Sequence, residues 1–245
     1  MKKLGLLGRN INYSFSRNYF SQKFETEGLT NEYCYQNFDI QTISEFPSIL
    51  ENNPDIIGMN VTIPYKEEVL PFLDQLSENA KAIGAINTIK IFPNGKLEGH
   101  NTDYFGFTES LRPLLKSHHK KALILGTGGA AKAVAFGLQS INIEYQYVSR
   151  KASENTIAYE ELHQIIFEDH TIIINCTPLG TSPNTEACPD IPYEYFNEKH
   201  IAYDLIYNPE ETEFLKRAKQ KKAVTKNGYE MLLLQAEKAW KIWTD

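Results

Sequence analysis

Cysteine is scarce in this chain of 245 residues. Cys34, Cys176 and Cys188 are the only three, an odd number with no metal or redox spacing. That excludes a disulfide framework and points to reduced thiols in a cytoplasmic protein. Histidine is thin as well: of six residues, only His118 and His119 are neighbours. Adjacent residues do not share a helix face, so no zinc site and no other metal is expected. Long apolar runs are missing. Nothing approaches the roughly 20 residues that cross a bilayer, so no membrane partner is expected. The start, Met1-Lys2-Lys3-Leu4-Gly5-Leu6-Leu7-Gly8-Arg9, has too short an apolar stretch for a signal peptide. Positive charge is in deficit: 25 Lys and Arg against 31 Asp and Glu leave a formal charge of −6. A nucleic-acid partner is therefore not expected, because phosphate binding leans on a basic surface. Any anionic ligand must be held by local donors against the global charge.

What is present is ordinary for a folded protein. Hydrophobic residues make up 42% and charged residues 23%, which excludes a disordered chain. The length suits one large domain or two modest ones, with a core that needs no covalent staple. The first hundred residues alternate in pattern. Strands are expected at 3–8, 32–38 and 55–61, and helices at 14–27, 43–52, 66–73 and 77–83. A hairpin is expected across Pro93-Asn94-Gly95, between 88–92 and 96–101. The composition changes near residue 104. A helix over 105–115 leads into the buried-strand run Ala122-Leu123-Ile124-Leu125. Strands at 144–148, 171–175 and 200–205 follow, with helices between them and a long last helix over 230–243. This alternation implies an α/β architecture, and in the second half a parallel sheet with right-handed crossovers.

The run Gly126-Thr127-Gly128-Gly129-Ala130-Ala131 follows that buried strand and opens an alanine-rich helix. It is a G-x-G-x-x-A form of the dinucleotide fingerprint in the right context. Gly126 permits the tight turn, Gly128 lets a pyrophosphate reach the backbone, and Ala131 allows close helix–sheet packing. The helix start adds free N–H groups and partial positive charge. An NAD site carries an acid about 20 residues further on, at the end of the second strand, to bind the ribose hydroxyl. Here that place is Ser149-Arg150-Lys151, and Glu144 lies at the wrong end of the strand. The Arg150 fork and the Lys151 charge suit a 2′-phosphate, so NADP is the expected cofactor.

Four polar clusters sit at strand–helix junctions: Ser14-Phe15-Ser16, Asn60 to Lys66, Gly84 to Thr88, and Gly99 to Asp103. In open α/β sheets such junctions converge on one crevice. Hydroxyls, an amide, an ammonium and a carboxylate meeting there suit a polyhydroxylated small molecule. Lys66 and Asp103 are the candidates for chemistry. Reducing a ketone leaves an alkoxide that needs a proton, and a lysine tuned by its surroundings can supply it. Asp103 could hold Lys66 and the reacting hydroxyl in register. Residue types alone favour an ordinary ion pair or two solvated charges.

Taken together, the strings resemble the shikimate dehydrogenase family over almost the whole chain. They are Ser14-Phe15-Ser16, Asn60-Val61-Thr62-Ile63-Pro64-Tyr65-Lys66, Gly84-Ala85-Ile86-Asn87-Thr88, Asn101-Thr102-Asp103-Tyr104-Phe105-Gly106, Gly126-Thr127-Gly128-Gly129-Ala130, Asn175-Cys176-Thr177-Pro178-Leu179-Gly180, Asp204-Leu205-Ile206-Tyr207-Asn208-Pro209 and Met231-Leu232-Leu233-Leu234-Gln235-Ala236. The resemblance implies a reversible NADPH-dependent reduction of 3-dehydroshikimate to shikimate, on the route to chorismate and the aromatic amino acids. It implies Lys66 and Asp103 as the catalytic pair. Ser14, Ser16, Thr62, Lys66, Asn87, Asp103, Tyr207 and Gln235 are implied as the substrate site. Gly126, Thr127, Gly128, Gly129, Ala130, Ser149, Arg150 and Lys151 are implied as the NADP site, with further contacts at Glu78, Leu205 and Gly228. The implied architecture is an N-terminal α/β substrate-binding domain, residues 1–103, completed by the last helix, 229–245. A C-terminal Rossmann domain, 104–228, binds NADP, and the whole is a monomer or homodimer. The chain departs from the family at Arg17, Phe20 and Ser21, at Ser149 and Lys151 around the retained Arg150, at Thr181 after Gly180, and at Glu230. Two alternatives stand beside this reading: a quinate/shikimate dehydrogenase that also uses NAD, and a noncatalytic NADP-binding sensor.

Overall fold

Strand β1 (Lys2–Gly8) has a parallel neighbour on each side, β2 (Tyr33–Asp39) and β3 (Ile56–Val61). The computed structural model describes residues 1–11 and 14–245, which divide into two units, Met1–Thr102 with Ala236–Asp245 and Asp103–Gln235. The sheet of the first unit continues through β4 (Gln75–Leu76), β5 (Thr88–Ile91) and β6 (Leu97–His100), in the order β2-β1-β3-β5-β6-β4. β5 runs antiparallel to β3 and β6. It forms with β6 the expected hairpin, where Gly95 takes a φ of 81° and the Phe92 N–H donates to the Lys96 carbonyl at 2.9 Å.

Helices α1 (Phe15–Thr26), α2 (Phe46–Asn52), α3 (Tyr65–Glu68) and α4 (Glu78–Ile83) flank this sheet. α1 starts where its sequence dictates: the Ser14 side chain accepts from the Arg17 N–H at 3.2 Å. The helix expected over 66–73 is shorter. It is the single turn α3 followed by a 3-10 turn, Leu70–Phe72, because Pro71 has no N–H to continue the ladder. The start of the helix expected over 43–52 is likewise a 3-10 turn, Ile43–Glu45.

In the second unit, α5 (Asp103–Leu111) precedes β7 (Lys121–Leu125). The helix expected to reach residue 115 stops early, at a 3-10 turn around Pro113. Then come α6 (Gly129–Ser140), β8 (Glu144–Ser149), β9 (Thr156–Ala158), α7 (Gln164–Asp169), β10 (Ile172–Asn175), β11 (Ile201–Asp204), α8 (Glu213–Gln220), β12 (Val224–Lys226) and α9 (Tyr229–Thr244). All six strands are parallel, in the order β12-β11-β10-β7-β8-β9. This is the doubly wound order, reversing between β7 and β10, and ligands bind outside the carboxyl ends of the strands at that reversal. The central strands β7 and β10 read as apolar runs because both faces are covered. Ala122, Ile124, Ile172 and Ile174 enter one core, while Leu123, Leu125 and Ile173 enter the other.

α9 is divided between the units. Met231 joins a core of the second unit, and a side chain at Gly106 on α5 would overlap the Met231 carbonyl. Ala236, Ala239 and Trp243 pack in the first unit with Leu4, Leu6 and Phe20. Gly58 on β3 leaves room for the Trp243 ring, whose Nε1 donates to the Ile89 carbonyl at 3.0 Å. The units therefore part at residues 103 and 236, against the expected 104 and 229.

Candidate active site

One end of the first sheet gathers the expected substrate residues of that unit. Ser14 and Ser16 open α1, which follows the carboxyl end of β1. Thr62 follows β3, and its backbone is fixed on both sides: its N–H donates to the Leu7 carbonyl and its carbonyl accepts from the Tyr65 N–H, each at 2.9 Å. Lys66 lies on α3, half-buried. Its carbonyl accepts from the Ile86 N–H at 2.9 Å. The preceding Tyr65 is fully buried and donates to the Ile40 carbonyl at 2.8 Å, so α3 is anchored beneath Lys66.

Asn87 precedes β5 and is 3% exposed. Its Oδ1 accepts from the Thr102 N–H at 2.7 Å, and its Nδ2 donates to Thr102 Oγ1 at 2.9 Å. Asn101 Nδ2 donates to the Ala85 carbonyl at 3.0 Å. The chain entering Asp103 is thus tied to the segment that carries Asn87. Asp103 itself is buried, as the first residue of α5 in the second unit.

In the second unit the glycine loop sits at the carboxyl end of β7, at the reversal of strand order. Gly126 takes a φ of 104°, in the region that favours glycine, and its N–H donates to the Val148 carbonyl at 2.9 Å. Gly128 is the N-cap of α6 with no side-chain cap, and a Cβ there would meet nothing within 4 Å. At the end of β8, Ser149 and Lys151 close a small turn. Ser149 Oγ donates to the Lys151 carbonyl at 2.9 Å and accepts from the Lys151 N–H at 3.3 Å, with Arg150 exposed between them. Tyr207 and Gln235 also lie in this unit, and Gln235 Nε2 donates to the Leu232 carbonyl at 3.0 Å. Glu78 does not. It stands in the first turn of α4 in the first unit, exposed and paired with Lys81 at 3.0 Å.

Leu205 and Gly228 come together. The Leu205 N–H donates to the Asn175 carbonyl at 3.1 Å and the Gly228 N–H to the Ile206 carbonyl at 3.1 Å, and a Cβ on Gly228 would overlap the Leu205 carbonyl. Both neighbours are backbone and cannot step aside cheaply. Gly228→Ala is expected to cost about 1–3 kcal/mol, read as a lower urea midpoint, as for other overpacked sites. An unchanged midpoint would show that this junction yields.

Residues 6–89 match the family model described as the shikimate dehydrogenase substrate binding domain. The chain is 36% identical over 260 residues to shikimate dehydrogenase (NADP(+)) of Caldicellulosiruptor saccharolyticus, covering all of this chain and 93% of that protein. The chain belongs to the shikimate dehydrogenase family. The fold agrees. The structure of shikimate 5-dehydrogenase from Thermus thermophilus in complex with NADP(H) and shikimate superposes with a TM-score of 0.87 at 32% identity, covering all of this chain and 94% of that one. Quinate dehydrogenase from Corynebacterium glutamicum in complex with NAD gives 0.86 at 25% identity, covering 99% and 93%.

This member of the shikimate dehydrogenase family also holds polar residues that sequence reasoning did not place in a site. Beside the glycine loop, Asn175 ends β10 fully buried and donates to Asp204 Oδ1 at 3.1 Å. Asn175 Oδ1 accepts from the Thr177 N–H at 3.0 Å. Asp204 also accepts from Thr212 Oγ1 at 2.6 Å and from the Ile206 N–H at 3.0 Å. Asn175 and Asp204 each open a string that carries the family resemblance and each end an apolar strand run, but neither signal assigned them a role. Burial pushes the Asp204 carboxyl up to about 6 from an ordinary 3.8, against the opposing pull of these hydrogen bonds. A raised folded value means that the native state binds the proton more tightly than the unfolded chain. The associated stability is complete below about 3.8 and is lost as pH rises through 6. Asp204→Asn removes that dependence, so its destabilisation in urea should be smaller at pH 8 than at pH 5. Equal losses at both pH values would show that Asp204 ionises without penalty. Among the described residues there is no group of three or more metal-ligating side chains, and no helix long and apolar enough to cross a membrane.

Proposed function

We propose that the protein catalyses the reversible NADPH-dependent reduction of 3-dehydroshikimate to shikimate, a step toward chorismate and the aromatic amino acids. The observation that carries this is the likeness, over the whole chain, to a structure that holds both NADP(H) and shikimate. The residues present fit the cofactor. The N-terminus of α6 has no side-chain cap, the approach over Gly128 is open, and the end of β8 offers Arg150 and Lys151 where an NAD site would carry an acid. Gly126, Thr127, Gly128, Gly129 and Ala130 would hold the pyrophosphate by backbone N–H groups, and Ser149, Arg150 and Lys151 the 2′-phosphate. Leu205 and Gly228 would line the remainder, and Glu78 is the further contact that the family resemblance implies. When bound, NADPH supplies the reducing equivalent to the carbonyl carbon.

The chain's own residues supply the proton and the orientation. Lys66 Nζ gives a proton to the oxygen that becomes the new hydroxyl, and takes it back in the reverse direction. Asp103 is the other member of the catalytic pair that the family resemblance implies, and its carboxylate would accept from the reacting hydroxyl. Ser14, Ser16 and Tyr207 serve the carboxylate side of the ligand. Asn87 and Gln235, with Asp103, serve its ring hydroxyls, and Thr62 completes the site next to Lys66.

Initial rates with shikimate and quinate, each with NADP and NAD, test the reading. Fast turnover with shikimate and NADP alone is the expected result. Turnover of quinate, or with NAD, would make this a broader quinate/shikimate enzyme. No turnover in any combination, from protein that still binds NADP, would replace the enzyme by a sensor.

A further inference from the structure

Asn175 and Asp204 are buried polar residues that the proposed function leaves without a part. They end neighbouring parallel strands, β10 and β11, and stand opposite each other in register. Each side chain holds the turn that follows its own strand. After β10, Asn175 Oδ1 accepts from the Thr177 N–H at 3.0 Å and from Thr177 Oγ1 at 2.6 Å, and Nδ2 donates to the Leu179 carbonyl at 3.4 Å. After β11, Asp204 Oδ1 accepts from the Ile206 N–H at 3.0 Å and Oδ2 from Thr212 Oγ1 at 2.6 Å. The bond from Asn175 Nδ2 to Asp204 Oδ1, 3.1 Å long, joins the two turns. A backbone N–H can only donate and a carbonyl or carboxylate only accept, so the orientation of the Asn175 amide is fixed from both ends.

The two turns border the glycine loop and the Gly228 junction. The Thr177 methyl lies 3.3 Å from where a Cβ on Gly126 would stand, and the Ile206 carbonyl accepts from the Gly228 N–H at 3.1 Å. A doubly wound sheet binds a dinucleotide as two mononucleotide halves, across the reversal of strand order. In the proposed function Arg150 and Lys151, at the end of β8, take the 2′-phosphate, which assigns the adenosine half to that side of β7. The ends of β10 and β11, on the other side, are left for the nicotinamide half. Burying a carboxylate is costly, and apolar side chains would end these strands at less cost to stability. What the polar pair adds is a fixed course for both turns. We infer that Asp204 and Asn175 are positioning residues for the nicotinamide half of the cofactor, acting through the backbone of the turns at Thr177 and Leu205. The inference rests on the proposed binding of NADP(H).

Asp204→Ala removes both acceptor oxygens and leaves the Ile206 N–H and the Asn175 amide without their partner. Calorimetry should show NADP binding weakened about five- to tenfold, the scale of one hydrogen bond made less well. Adenosine 2′,5′-bisphosphate carries the adenosine half alone, and its affinity should change less than about twofold on the same scale. Asn175→Ser, measured in parallel, releases the Thr177 N–H while leaving Asp204 its bonds to Ile206 and Thr212, and should give the same split between the two ligands. Asp204→Asn keeps an oxygen for the Ile206 N–H and should recover most of the lost NADP affinity. A structural role alone would lower the thermal midpoint and either weaken both ligands alike or spare both. Equal weakening of the two ligands, or unchanged NADP affinity in Asp204→Ala and Asn175→Ser, would overturn the inference. Failure of the unaltered protein to bind NADP would instead overturn the proposed function on which it rests.

Discussion

Lys66→Ala is expected to lower kcat by about 10²- to 10⁴-fold, the range that a positioned acid–base group contributes. The loss should fall on the chemical step, with NADP binding intact, because the residues that fit the cofactor phosphates lie on other elements, in the second unit. The fold should survive the change. The Lys66 backbone is held by the Ile86 N–H, and α3 is anchored by the buried Tyr65 rather than by the lysine side chain. Lys66→Arg separates charge from proton transfer: it keeps the positive charge, but a guanidinium does not release its proton near neutral pH. The arginine variant should therefore remain impaired in kcat. Stopped-flow measurement of nicotinamide reduction by shikimate, with NADP affinity measured in parallel, checks both variants. Turnover close to the unaltered protein in Lys66→Ala would falsify an acid–base role for this residue.

The second large effect concerns cofactor choice. Arg150→Ala is expected to lower the preference for NADP over NAD by about 10- to 100-fold, the equivalent of a charge-assisted hydrogen bond of about 1.5–3 kcal/mol. Arg150 is exposed at the end of β8, where a ribose-binding acid would stand in an NAD site. The turn beneath it is closed by Ser149 and the Lys151 backbone, so truncating the arginine leaves the loop intact. The change should appear in KM for NADP, with little change in kcat or in KM for NAD. Rising salt should weaken NADP binding to the unaltered protein more than to the variant. An NADP/NAD ratio that does not move would assign selectivity to Lys151 or to the backbone.

The central strands of the second sheet are legible in the order of residues alone, because a parallel sheet covered on both faces turns them into plain apolar runs, as at Ala122 to Leu125 and Ile172 to Ile174. The turn chemistry is equally local. Gly126 opens the glycine loop with positive φ, Gly95 turns the hairpin, and Ser14 caps α1. Each of these is written within a few residues. Strands of two or three residues such as β4, β9 and β12 are too short to carry a period, and only pairing with a neighbour defines them. The length of α3 was legible in principle, since Pro71 marks its end, but the helical pattern on either side masked it. Packing in three dimensions, and nothing local, joins Tyr35, Asn60, Asn87 and Thr102 into one connected set, and Asn175, Asp204 and Thr212 into another. Those links depend on strand register, with Leu6 opposite both Asn37 and Asn60, and Asn60 opposite Thr88. Register is fixed by burial across the whole sheet, where a slip of one residue would turn every side chain to the other face.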